Sequence, residues 1–186
     1  MSAIIAVQKD NTTAVSWDTL TTGGSATSPN AVPVRKVHRF GQSAVGVAGL
    51  SVYYVMLEHY LRGANTDTLQ TECDVFAFFL AFWKHMKEEF HFVDDQSDRE
   101  EPSPFADLGA EFLVATKDRL FVVREILSVK RFDRFCAIGS GASHAEGVAE
   151  VLYATQDSAC EIARRSVEVA TQFDRACGGP VEVLEF

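Results

Sequence analysis

The chain has 186 residues, 47% of them hydrophobic, and a formal net charge of −9. That is enough chain for a sizeable core and too apolar for disorder, so one domain spanning residues 1–186 is expected. The acidic balance disfavours a nucleic-acid partner, which needs concentrated Lys and Arg. No apolar run approaches the roughly 18 residues of a membrane span. The start lacks the basic region and long apolar stretch of a signal peptide, so no membrane association and a cytoplasmic location are expected. Cys73, Cys136, Cys160 and Cys177 show no C-x-x-C spacing and read as reduced thiols. The histidines show no metal spacing, and neither metal nor cofactor is expected.

In chain order, residues 3–9 read as an apolar strand, Asp10, Asn11 and Thr12 as a turn, and 13–17 as a second strand. Residues 21–30, rich in Thr, Gly and Ser, read as loop. Strands over 34–40 and 43–49 pair across Gly41 and Gln42. The period then changes. Tyr53, Met56, Leu57, Tyr60 and Leu61 fall at helical spacing, as do Val75, Phe78, Phe79, Phe82, Trp83 and Met86. This aromatic stripe is assigned to core packing. Residues 94–104 read as a solvated acidic loop.

Residues 111–116 and 120–123 form a hairpin across Lys117 and Asp118, and 135–138 is a further strand. Ala145, Val148, Ala149, Leu152 and Tyr153 mark a third helix. Ser158 and Glu161 read as a capping box opening a fourth, which runs to about Arg175 before Gly178, Gly179 and Pro180 stop it. Residues 181–186 alternate as a last strand. The order is four strands, two helices, three strands, two helices and one strand. It lacks βαβ alternation and so disfavours a Rossmann-type sheet. It predicts an α+β fold: a four-layer αββα sandwich of two antiparallel sheets flanked by helix pairs.

Ser2 stands behind Met1 and ahead of the first strand. Removal of Met1, usual before so small a residue, would leave a hydroxyl and a free α-amine on one residue. The amine, with a pKa near ~7.7–8.0, is a base near neutral pH. A hydroxyl activated by its own terminal amine is a known nucleophile. Many chains begin Met-Ser, and alone the pair reads as a frayed terminus. Asp18 ends the second strand, and Lys36 sits in the third on the face of Val34 and His38. Singly they read as a turn residue and an edge residue. If both face Ser2, the Lys ammonium favours an alkoxide-like hydroxyl, and Asp18 neutralises and fixes the Lys.

Gly49, at a strand end, permits close backbone approach and offers an N–H to an oxyanion, though a plain strand-to-helix turn also explains it. Gly139, Ser140 and Gly141 lie between a strand and a helix, but the full P-loop pattern is absent. Asp174 near a helix C-terminus opposes the dipole and needs another partner. No G-x-S-x-G elbow occurs.

In combination these residues resemble the proteasome β-subunits, most nearly the HslV-type bacterial peptidases, both N-terminal-nucleophile (Ntn) hydrolases. The resemblance spans nearly the whole chain. It rests on Ser2, Asp18, Lys36 with Val37, Ala48 with Gly49, the Gly139-Ser140-Gly141 run and the Asp174 to Gly179 run. Divergence from ordinary HslV suggests a separate branch, the beta-proteobacterial proteasome homologues.

The resemblance implies that Ser2 is the nucleophile, Lys36 and Asp18 its activating pair, and the Gly49 N–H the oxyanion donor. Ser140 and Asp174 would support the terminal amine, with Cys177 beside them. Thr22 would align substrate as an added strand, and Val47 would floor an apolar pocket for the residue before the cut. The resemblance also implies a homo-oligomeric double ring, dodecamer or tetradecamer, cleaving unfolded polypeptides inside its chamber. An AAA-type ATPase unfoldase would feed it.

This chain departs from the family in places. Ser2 stands where Thr is usual, which removes a methyl that fixes the hydroxyl rotamer. Cys177 stands where Ser is usual, and a thiol is a poor donor. Ala3 replaces a second Thr, and Trp17 and Thr19 flank Asp18 in place of Gly. No propeptide is expected ahead of Ser2, so that Met1 removal alone would expose the amine. Two rival expectations are a catalytically inactive ring subunit and a small-molecule amidase on the same fold.

Overall fold

The computed structural model describes residues 2–21, 34–63, 69–90 and 108–186. Thr22 and the acidic stretch 94–104 lie outside the described residues. The chain opens on a hairpin of β1 (Ile4–Lys9) and β2 (Thr12–Asp18). Asp10 and Asn11 turn it with φ of 51° and 60°. That is the mirror-image turn whose twist suits paired strands. A second hairpin joins β3 (Val37–Phe40) to β4 (Ser43–Gly49), followed by α1 (Val52–Leu61) and α2 (Glu72–Glu89). Then come β5 (Ala110–Thr116), β6 (Leu120–Val123), β7 (Val129–Phe132), β8 (Phe135–Ile138), α3 (Ala142–Tyr153), α4 (Ala159–Phe173) and β9 (Val181–Glu185).

The strands form two sheets, in orders β8-β1-β2-β9 and β3-β4-β5-β6-β7. Each neighbouring pair is antiparallel. Side-chain alternation divides the core into three slabs. From β4, Val45 and Val47 enter a slab with Leu57, Phe79, Phe82 and Phe112, beneath α1 and α2. Ala44 and Ala48 face the other way, into the slab between the sheets with Ile4, Ala6, Val15 and Leu113. From β1, Ile5 and Val7 meet Ala145, Ile162 and Val167 of α3 and α4. The layers therefore run helix pair, five strands, four strands, helix pair, as the order of elements predicts.

Three details differ from the sequence expectation. The strand β7 went unpredicted: its central Lys130 and Arg131 are exposed, so it carries no apolar alternation. It is the sheet's edge, where exposed cations discourage further pairing. Lys36 precedes β3 rather than lying within it, although its carbonyl still accepts from Val47 N–H at 3.0 Å. The reciprocal capping box opens α2, not α4. Thr71 Oγ1 accepts from Asp74 N–H at 3.2 Å, and Asp74 Oδ2 accepts from Thr71 N–H at 2.8 Å. At α4, Ser158 Oγ accepts from Glu161 N–H, but the Glu161 carboxylate is turned to Arg164.

Candidate active site

Ser2 is fully buried, two residues ahead of the start of β1. Its carbonyl accepts from Gly141 N–H at 3.1 Å. The next residue is held from the other side, where Ala3 N–H donates to Asp18 Oδ1 at 2.9 Å and Asp18 N–H donates to Ala3 carbonyl at 3.2 Å. Ser2 is thus anchored between the end of β2 and the loop entering α3. Gly139 is required there. Its φ is +88°, and a Cβ would lie 2.2 Å from the Ser2 carbonyl oxygen. The Gly139 N–H donates to Glu111 Oε2 at 3.2 Å, and Glu111 in turn pairs with Arg124.

Asp18 is the hub. The Oδ1 that takes the Ala3 N–H also takes Lys36 Nζ at 2.9 Å, and Oδ2 takes Gly178 N–H at 3.0 Å. Ser2, Asp18 and Lys36 are each fully buried. Two charges taken out of water need one another and further hydrogen bonds. Here the carboxylate receives an ammonium and two backbone N–H groups. The strand geometry explains the meeting. Asp18 ends β2 beside Ala3, and Lys36 approaches across the gap between the sheets.

A second polar group abuts the first. Asp174 caps the C-terminus of α4, accepting from Ala176 N–H at 2.9 Å and from Cys177 Sγ at 3.3 Å. Ser140 Oγ lies 3.9 Å from Cys177 Sγ, which itself donates to Asp174. Burial works to raise the Asp174 pKa, but the Ser140 hydroxyl and bonds from Ala176 and Cys177, with help from His144, hold it below the usual carboxylate value. Burial, with Asp18 and Asp174 nearby, pushes the Cys177 thiol up to about 12. A Cβ on Gly141 would meet Ala3 Cβ at 2.8 Å and Cys177 Sγ at 3.1 Å, so the two groups touch across this glycine.

The sequence-predicted residues Ser2, Asp18, Lys36, Ser140, Asp174 and Cys177 therefore come together. Gly49 stands at the end of β4 opposite Ala110, where a Cβ would meet Ala110 Cβ at 2.7 Å. That contact alone accounts for a glycine. Val47 is fully buried in the slab under α1 and α2. Thr22 lies outside the described residues.

Sequence reading missed Tyr54 of α1, whose hydroxyl lies 3.4 Å from Ser2 Oγ. It also missed the Gly178 N–H on Asp18. Tyr54 was not among the positions marked at helical spacing, which began at its neighbour Tyr53. The signal lay in a hydroxyl where Phe would pack as well. Among the described residues no cluster of His, Cys, Asp or Glu could hold a metal ion, and no helix is long and apolar enough to cross a membrane.

Two antiparallel sheets between helix pairs, with a hydroxyl residue ahead of β1 and a buried Lys–Asp pair holding the residue after it, match the Ntn fold of proteasome-type subunits. Among solved structures, the chain is similar to BPH, a bacterial proteasome homologue of Thiobacillus denitrificans. In complex with epoxomicin, BPH superposes with a TM-score of 0.86 at 25% identity, covering 99% of this chain and 97% of that one. HslV from Trypanosoma brucei gives a TM-score of 0.67 at 20% identity, covering 98% of both chains. Anbu, the ancestral β-subunit from Yersinia bercovieri, gives 0.68 at 14% identity, covering 98% of this chain and 80% of that one. No family model matches the chain, and no curated protein does.

Proposed function

We propose that this chain is a single-domain peptidase subunit with Ser2 as its N-terminal nucleophile. The observation that carries the reading is the double role of Asp18 Oδ1. One oxygen fixes both the Lys36 ammonium and the N–H of the residue that follows Ser2. Once the bond before Ser2 is cut, the new α-amine accepts the Ser2 hydroxyl proton as Oγ attacks a peptide carbonyl. The Lys36 charge favours the developing alkoxide, and the Gly49 N–H receives the oxyanion. The tetrahedral adduct collapses, the α-amine gives the proton to the leaving amine, and an ester on Ser2 remains. Water then adds to the ester, releasing the acid and restoring the hydroxyl. Ser140 and Asp174 orient the amine, Cys177 supports Asp174, Thr22 aligns the substrate backbone, and Val47 sets an apolar pocket.

The likeness to BPH bound to epoxomicin supports peptide-like substrates. The same likeness supports self-association. We extend it to a cytoplasmic double ring of twelve or fourteen copies that cleaves unfolded polypeptides fed by an AAA-type ATPase. The full burial of Ser2 favours a second reading, a catalytically silent ring subunit.

Intact mass after exposure to a peptide epoxyketone separates the two. Loss of Met1 with an adduct on Ser2 supports the peptidase. Retained Met1 without adduct supports the silent subunit. Loss of Met1 without adduct counts against peptide substrates and turns attention to small amides. S2A is expected to abolish turnover without unfolding the chain.

A further inference from the structure

The Tyr54 side chain leaves α1 toward Ser2, and its hydroxyl stands 3.4 Å from Ser2 Oγ with both residues buried. Tyr53, one residue earlier, sends its hydroxyl elsewhere, to the Leu108 carbonyl. Packing alone does not call for the Tyr54 oxygen. Phenylalanine would fill the same volume, and a buried hydroxyl needs a partner. Burial raises the Tyr54 pKa above its ordinary value, against the opposing Ser2 bond and with Asp18 adding to it. The phenol therefore stays neutral around Ser2 and keeps its proton for a hydrogen bond.

Serine needs such a partner more than threonine does. A β-branched side chain is stiff at χ1, whereas serine is free to sample its staggered wells. A hydroxyl that must attack in one direction loses rate whenever it occupies the others.

We infer that Tyr54 is a positioning residue for Ser2, its phenol fixing the hydroxyl rotamer that a γ-methyl would fix in a threonine. This rests on the reading of Ser2 as the nucleophile. The contact transfers no proton and breaks no bond. It selects a rotamer, and the long apo distance leaves room to tighten when substrate binds.

The test compares Y54F, S2T and the S2T/Y54F double variant with the wild type, each freed of Met1 as judged by intact mass. The readout is the rate of adduct formation with a peptide epoxyketone. Y54F is expected to slow the adduct about fivefold, with little change in its dependence on probe concentration. In the S2T background the same substitution is expected to cost less than about twofold. Equal losses in both backgrounds would mean that Tyr54 shapes the pocket or the fold, and would overturn the inference. No loss in the Ser2 background would overturn it as well. A wild type that is freed of Met1 and takes no adduct defeats the nucleophile reading instead. The Ser2 χ1 angle in Y54F crystals then decides the contact. A scattered or changed angle supports positioning, and an unchanged one overturns it.

Discussion

Lys36 Nζ and Asp18 Oδ1 meet at 2.9 Å with neither side chain exposed to solvent. Breaking a buried pair by removing one partner costs about 3–5 kcal/mol, because the other charge is left uncompensated. The two deletions are not equivalent here. K36A leaves Asp18 with the Ala3 and Gly178 N–H groups, whereas D18A strips those two donors of their acceptor as well as removing the Lys partner. Urea unfolding is expected to rank D18A as the more destabilised. Equal midpoints would mean that the two backbone bonds add nothing to the ion pair. K36M, which keeps the apolar bulk, is expected to fold and to lose probe labelling.

Gly139 and Gly147 make opposite predictions. A methyl at 139 would sit 2.2 Å from the Ser2 carbonyl oxygen, on a backbone at φ +88°. G139A is expected to displace Ser2, abolish labelling and lower the melting temperature. Gly147 lies within α3, and a Cβ there meets nothing within 4 Å. G147A is expected to stabilise the chain by about 0.5–1 kcal/mol through helix propensity alone. Differential scanning calorimetry checks both signs. A stable, labelled G139A would show that the loop is not needed to seat Ser2.

The layers were legible because most of their strands are short apolar runs set off by turn residues. The small and apolar runs bounded by Gly41-Gln42 and Lys117-Asp118 marked β4 and β6 to the residue and β5 to within one. The strand β7 was not, since Lys130 and Arg131 serve an edge rather than a core. Within the site, Asp18 and Lys36 were readable only as a set with Ser2. Each alone is what a strand end or an edge carries. Tyr54 stood outside the apolar stripe that marked α1, beside Tyr53 within it, and only the three-dimensional neighbour gives its oxygen a use. Gly49 shows the reverse. The structure gives its lack of a side chain a packing reason, since Ala110 forbids a Cβ there, and this leaves the role proposed for its N–H untouched.

His38 supplies a pH dependence. Burial lowers its pKa from the ordinary 6.5; Glu58 opposes this and Arg35 adds to it. Its Nε2 is buried without a hydrogen-bond partner, so a second proton would have nothing to bond. At a pH well above 6.5 both folded and unfolded chains hold a neutral imidazole, and the group contributes no slope. As pH falls through 6.5 the unfolded chain binds the proton first, so stability declines until the folded pKa is passed. H38Q is expected to flatten that decline in urea titrations between pH 7.5 and 5, as about the range that brackets the unfolded value. An unchanged slope would assign the dependence to other groups.

The four cysteines are expected to react in an order set by exposure and thiolate character. Cys73 is exposed, Cys160 is half-buried with its pKa raised, and Cys136 and Cys177 are buried. Burial drives the Cys136 thiol far up, and burial together with the Asp18 and Asp174 carboxylates takes Cys177 to about 12. With an aromatic disulfide reagent at neutral pH, Cys73 is expected to react fast, Cys160 slowly, and the buried pair only after unfolding. Peptide mapping of the modified protein assigns each. C177S tests the site directly, because a hydroxyl donates to Asp174 better than a thiol does. It is expected to raise the epoxyketone labelling rate modestly while leaving the slow and fast thiols in the same order. Rapid modification of Cys177 in the folded chain would mean that its packing against Gly141 and Asp174 opens to solvent, and that the packing around Ser2 is looser than its buried neighbours imply.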